Sequence, residues 1–193
     1  WNGGVMRIRT ESMKVDIFRH DPKDVNSLPI NDAKMVLPDD TIVWIGSHGE
    51  GLVAFDLNRS RFIHHRNNKT FPFNMNLPGW IYHLYKDSRK RLWISTYSGL
   101  FVLDEKGLTQ HTHSKDTTTI SSNSVSMTVE DGNGRIWIIN DGGLDEFDNA
   151  TGRFIRYRER LALPETMKSI VSVGKKILWM GTNEGIICLD TKT

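Results

Sequence analysis

Apolar and polar positions alternate along most of this chain in short runs, and each run stops at a turn rich in glycine, asparagine or aspartate. Alternation at period two predicts half-buried strands. Ser124-Val125-Ser126-Met127-Thr128-Val129 shows the pattern, and Asp131-Gly132-Asn133-Gly134 after it predicts a tight hairpin turn. Arg135 to Ile139 follows as a second strand whose near-continuous apolar run predicts burial on both faces. Asn140-Asp141-Gly142-Gly143 turns into a third strand, Leu144 to Phe147, and Asn149-Ala150-Thr151-Gly152 turns again. Phe154 to Arg158 is then a fourth, outermost strand, whose charges discourage edge-to-edge pairing.

This four-strand unit recurs. Its second strand reads Val43-Trp44-Ile45-Gly46-Ser47, Leu92-Trp93-Ile94-Ser95-Thr96, Ile136-Trp137-Ile138-Ile139-Asn140 and Leu178-Trp179-Met180-Gly181-Thr182. Each copy runs into a third strand that ends in an aspartate: Asp56, Asp104, Asp148 and Asp190. The tryptophans are 49, 44 and 42 residues apart. A period in the forties with all-strand content predicts the blades of a β-propeller. The linkers agree: Lys23 to Met35 matches Lys115 to Met127 at an offset of 92 residues, two blades in phase. Outer strands are expected at Val15 to His20 and at Arg61 to Arg66.

The expected fold is therefore all-β, a β-propeller of four-stranded antiparallel blades. Residues 1–20 read as the outer half of a blade, 33–66, 80–113 and 124–158 as full blades, and 167–190 as a partial last blade lacking its outermost strand. That is about four and a quarter blades, which favours a segment of a larger ring over a closed one. A segment would leave flat apolar faces on its end blades. The tryptophans are expected to pack between blades, and the repeated aspartates to accept backbone hydrogen bonds in the turn after the third strand.

With 193 residues the chain can build one sizeable domain, and a net charge of +2 implies no polyanion partner. The short cluster Arg89-Lys90-Arg91 reads as a solvated hairpin, so nucleic acid is not an expected partner. No apolar run approaches the ~20 residues of a membrane span, so no direct membrane contact is expected. No signal peptide is visible; the chain opens at Trp1-Asn2-Gly3-Gly4, inside a repeat, so a leader is not excluded. The single cysteine, Cys188, is expected as a small buried hydrophobe in its strand.

Val129-Glu130-Asp131-Gly132-Asn133-Gly134-Arg135-Ile136-Trp137-Ile138, Leu178-Trp179-Met180-Gly181-Thr182-Asn183-Glu184-Gly185 and the linker Asn26-Ser27-Leu28-Pro29-Ile30-Asn31 closely resemble the two-component regulator propeller repeat. The resemblance covers essentially the whole chain. Ser95, and Ile139 with Asn140, depart from its Gly-Thr positions, and the last inner strand ends in Val173-Gly174-Lys175-Lys176 without the Glu-Asp turn. The resemblance implies seven-bladed propellers, often in tandem, in the periplasmic sensor region of hybrid two-component systems. A Tyr-rich β-sandwich, a transmembrane helix, a histidine kinase and response-regulator domains usually follow. It implies sensing of glycan-derived oligosaccharides and control of utilisation genes, with the rest of the same propeller and a homodimer partner as further contacts.

Residues that do not repeat, on loops joining second to third and fourth to first strands, are the expected ligand site. These are Trp1, Asn2, His48, Glu50, Phe71, Phe73, Trp80, Tyr97, Asn140, Asp141, Asn183 and Glu184, with Trp80 and Tyr97 foremost. Aromatic faces beside amides and carboxylates suit sugar rings and hydroxyls. No metal or cofactor is expected. His64-His65 alternate sides of a strand, His111 and His113 lack a third ligand, and the calcium-like start at Asp131 meets Arg135 and Gly142 where oxygen ligands are needed. No catalytic motif occurs, and the local carboxylate clusters are Asp39-Asp40, Asp145-Glu146 and scattered turn residues. The expectation is a noncatalytic ligand-sensing segment, any kinase activity lying elsewhere in its parent protein. The alternatives are a propeller glycoside hydrolase or lyase, or a protein–protein scaffold.

Overall fold

In the computed structural model, residues 3–70, 72–74, 77–164 and 166–191 are described. The chain forms two compact units, Trp1–Ile81 and Tyr82–Thr193. The first holds a two-stranded sheet, β1 (Val5–Arg9) with β2 (Lys14–Phe18), and a four-stranded sheet, β3 (Ala33–Asp39), β4 (Ile42–Ser47), β5 (Leu52–Asp56) and β6 (Arg61–Ile63). A second four-stranded sheet follows, β7 (Ile81–Lys86), β8 (Leu92–Thr96), β9 (Gly99–Asp104) and β10 (Gly107–His111). The third is β11 (Val125–Glu130), β12 (Ile136–Asn140), β13 (Gly143–Asp148) and β14 (Arg153–Arg156). One helical turn, α1 (Arg158–Leu161), leads to a three-stranded sheet, β15 (Met167–Val173), β16 (Ile177–Thr182) and β17 (Gly185–Asp190). Sequential antiparallel strands in every sheet are the blade plan of a β-propeller.

The repeat acts through one hydrogen-bonded unit. The Trp93 indole N–H donates to Asp87 at 2.8 Å, and Trp137 donates to Asp131 at 3.1 Å. The same two carboxylates accept from Arg91 Nε at 2.6 Å and Arg135 Nε at 2.8 Å, and from backbone N–H groups of their own turns. Trp44 makes the equivalent bond to Asp39 at 3.0 Å. Each buried indole thus has the partner that burial requires, and each hairpin is locked to the strand after it. The turns after the third strands close as expected: Asp56 accepts from Asn58 and Arg59, Asp104 from Lys106, and Asp148 from Ala150.

Inner strands β3, β11 and β15 share a register shift near their starts, at Ala33/Met35, Val125/Met127 and Met167/Ser169. The third strands begin on glycines with φ of 122°, 121° and 133° (Gly99, Gly143 and Gly185), backbone that a side chain would strain.

The core lies between sheets. In the second unit, Trp93, Leu100, Ile136, Ile138, Phe147 and Phe154 form one buried cluster, and Trp137, Ile139, Leu144, Ile170, Leu178 and Met180 form the next. In the first unit, Leu28, Ile45, Val53, Phe55 and Phe62 form a third, with Val5 and Phe18 packed on it. Strands β8 and β12 are buried along their whole length, as their apolar runs predict.

Three expectations need correcting. Trp179 does not pack between blades: it is 44% exposed, on a face of β15–β17 shared with Val171, its register partner, and Ile186. Cys188 pairs with Trp179 in register on that face and is exposed rather than buried. The opposite face, with Ile170, Leu178 and Met180, carries all the burial. The outer strand expected over Arg61 to Arg66 stops at Ile63, because the Asn67 side chain takes over the backbone, accepting from His64 N and donating to Phe62 O and Val25 O. Val171, Ile186 and Trp179 are the kind of bare apolar face that a propeller segment presents; Met6, Ile8, Val15 and Ile17 form a second on β1–β2.

Candidate functional site

In the first unit the β4–β5 loop is tied down from below. Ser47 Oγ donates to Gly51 O at 2.9 Å and accepts from Glu50 N at 3.0 Å. Gly49 N and Gly51 N both donate to Gly79 O, at 2.7 and 3.0 Å, and His48 forms an antiparallel bridge with Trp80. A Cβ on Gly79 would sit 2.8 Å from Gly49 O, so only glycine permits this approach. The bridge lays the Trp80 indole parallel to the His48 imidazole, 5.1 Å between centroids at 14°. Trp80 still exposes 51% of its surface, a fixed aromatic plane with one face to solvent.

Glu50 leaves the same loop to pair with Arg66 and, at 3.4 Å, with His65 Nε2. Asp32 lies 3.7 Å from His48 Nδ1. Beside them is a cavity of about 520 Å³, lined among others by Glu50, His65, Arg66, Lys69, Phe73 and Leu77. Phe73 stands 6.2 Å from Trp44, ring to ring. The volume suits a ligand of a few rings, and the lining mixes one apolar wall with charged hydrogen-bonding groups.

The structure therefore stacks His48 on Trp80 and places Glu50 and Phe73 on the cavity wall, to which the chain neighbours Gly49 and Gly79 also contribute. Trp1, Asn2 and Phe71 lie outside the described residues. The other expected positions belong to the second unit, on three loops. Tyr97 is 50% exposed at the tip of a turn closed by Thr96 Oγ1, which donates to Gly99 O at 2.7 Å and accepts from Ser98 N at 3.1 Å. Asp141 is exposed, its backbone N–H held by Ser124 O. Asn183 and Glu184 are exposed, with Asn183 donating to Thr166 at 3.2 Å. Asn140 faces inward: it is 3% exposed, donates to Asp145 at 2.7 Å and accepts from Gly142 N at 2.8 Å, so it holds the loop and presents no amide to solvent.

Asp145 is a feature the sequence showed only as half of a carboxylate pair. Its Oδ2 accepts from Ser121 N, Ser121 Oγ and Asn140, while burial, opposed by those bonds, raises its pKa. Glu146 points to the opposite face and accepts from the Tyr157 hydroxyl at 2.8 Å, so the pair does not converge on one reacting atom. His65 and Arg66 fall in the expected outer strand Arg61 to Arg66, and Lys69 lies just beyond it, so the sequence pattern does not mark them as lining a cavity. No group of three or more His, Cys, Asp or Glu among the described residues is placed to hold a metal ion.

Residues 77–98 match the two component regulator propeller family, so a repeat of that kind is present where Gly79 and Trp80 enter β7 and β8. No curated protein matches the chain. Among solved structures, the extracellular domain of the hybrid two component system BT3049 from B. thetaiotaomicron superposes with a TM-score of 0.79 at 23% identity, over 98% of this chain and 24% of that one. The extracellular domain of BT4673 from the same organism gives 0.52 at 20% identity, over 98% and 26%. A streptogramin B lyase gives 0.64 at 13% identity, over 100% and 63%. These likenesses establish the propeller fold. The chain spans about a quarter of the length of the two extracellular domains.

Proposed function

We propose that this chain is a noncatalytic, extracytoplasmic part of a ligand-sensing propeller in a two-component signalling protein. In this reading it lies in the periplasm and binds oligosaccharides released from glycans, and the response controls genes for their use. The observation that carries the reading is the solvent-facing Trp80 indole stacked on His48, with the chain neighbours Gly49 and Gly79 lining the Glu50–Arg66 cavity. An indole plane stacks on the C–H face of a sugar, and a carboxylate with a guanidinium binds hydroxyls as acceptor and donor. The matched repeat and the extracellular domains support the sensor role. The apolar faces at β1–β2 and β15–β17 are, in the same reading, seats for further blades of a seven-bladed propeller. Ligand binding shifts a signalling equilibrium only by its differential affinity for the two states.

The test is a panel of neutral oligosaccharides titrated against the protein and its Trp80→Ala variant by calorimetry, with each glycan polymer incubated in parallel. Saturable binding by the protein, abolished in the variant and without cleavage of polymer, supports the reading. Shortened or unsaturated product would replace it with a propeller hydrolase or lyase.

A further inference from the structure

A second cavity, of about 880 Å³, lies in the second unit, bounded by the Ser114–Ser121 linker, the β13–β14 turn, β14 and α1. Arg153, Arg156, Arg158 and Arg160 all line it, and among the described residues the lining carboxylate is Asp148. Asp148 is occupied by its own turn, accepting from Ala150 N at 2.8 Å and Thr151 Oγ1 at 2.6 Å. Asp116, nearby on the linker, accepts from Thr118 N and Thr118 Oγ1, both at 2.8 Å. Those bonds first, and the charges of Arg153 and Arg156 after them, hold its pKa low.

Arg156 is held in place by neutral groups. Its Nε donates to Thr119 O at 2.9 Å, and its Nη2 donates to Ile120 O and Asp116 O at 3.0 Å each. Ser114 O at 3.3 Å and Thr119 Oγ1 at 3.0 Å also accept from Nη2, so uncharged oxygens fix the guanidinium, and the nearby Asp116 and Asp145 carboxylates feel its charge. Arg153 and Arg160 are exposed, and Arg160 rests 5.9 Å from the Tyr157 ring centroid. A preorganised guanidinium flanked by further arginines is a receptor for carboxylate or sulfate, which the planar fork meets with paired hydrogen bonds. The cavity is large enough for a small oligomer. Its aromatic residue, Phe154, is 4% exposed and offers no stacking plane for a nucleobase.

We infer that this cavity is a second binding site, specific for an acidic oligosaccharide carrying sulfate or uronate groups. The inference takes from the proposed function only that glycans are the ligands; the site shares no residue with the Trp80 cluster.

The experiment titrates the full chain with a sulfated glycosaminoglycan oligosaccharide, an oligogalacturonate, a neutral oligosaccharide of equal length, inorganic sulfate and a single-stranded oligonucleotide. The titration is repeated on Arg153→Ser/Arg160→Ser and on Trp80→Ala. Both arginines are exposed, so the double variant keeps the fold, which its melting temperature verifies. We expect an acidic oligosaccharide to bind, more weakly as salt rises, and to bind at least about tenfold more weakly to the arginine variant while Trp80→Ala is unchanged. The sulfated and uronate arms identify which anion is read. Loss in Trp80→Ala with retention in the arginine variant overturns the inference and leaves glycan sensing standing. Equal binding of the oligonucleotide, or binding of none of the acidic probes, overturns it as well. Failure of neutral and acidic sugars together removes the glycan reading itself.

Discussion

The indole N–H of Trp93 donates to the Asp87 carboxylate at 2.8 Å, and neither residue is more than 5% exposed. That one carboxylate also holds the Arg91 side chain and two backbone N–H groups of the hairpin. Replacing Asp87 with alanine strands a buried indole donor and a guanidinium together. The expected cost is about 3 kcal/mol or more, against ~0.5 kcal/mol for an ordinary surface change. Urea unfolding of Asp87→Ala measures it, and an unchanged midpoint would remove this bond from the account of the repeat.

The same phrase has different consequences in different blades. Trp137 is 1% exposed and Trp179 is 44% exposed. Trp137→Ala should cost about 3–5 kcal/mol by opening a cavity. Trp179→Gln should cost far less. Parallel denaturation curves compare them, and equal losses would contradict the packing described for β15–β17.

Gly46 faces a wall. A Cβ there would come within 2.7 Å of Ile81 Cγ2. Gly46→Val should therefore destabilise by about 1–3 kcal/mol through overpacking. Pairing it with Ile81→Ala should recover part of the loss, and the double-mutant cycle reads the coupling.

His83 links stability to pH. Burial lowers its pKa from 6.5 to about 4, so the folded protein keeps it neutral. A depressed pKa means stability that is full above pH 6.5 and is lost as pH falls through the range from 6.5 to about 4. Burial depresses His64 and His111 in the same direction. His83→Gln should flatten the fall in melting temperature over that interval; a slope identical to that of the parent would show that His83 does not carry it.

The blades are legible in the sequence because their signals are local. Alternation, glycine turns and the apolar Trp strand act within one hairpin, and they place the second and third strands of the four sheets after β2 within a residue or two. Exposure is not local. Leu178-Trp179-Met180 reads like Ile136-Trp137-Ile138, yet a side chain facing out of the sheet is buried only if another layer covers it, and Trp179 and Cys188 are exposed. The helical turn α1 is too short for a periodic pattern to show. At the candidate site, Trp80, His48, Glu50 and Phe73 stand out as nonrepeating loop residues. The Glu50–Arg66 pair joins residues 16 apart across a strand boundary that Asn67 ends early, and no periodic signal reports such a contact.

The central claim is that Trp80 on its His48 support is a sugar-binding surface. Its most direct test is a titration of the protein with the neutral oligosaccharide panel, read by tryptophan fluorescence and repeated on Trp80→Ala and on the exposed Trp179→Gln as a control. The account predicts a saturable change in the protein and in Trp179→Gln that vanishes in Trp80→Ala, with melting temperatures alike. Binding that survives intact in Trp80→Ala would contradict it.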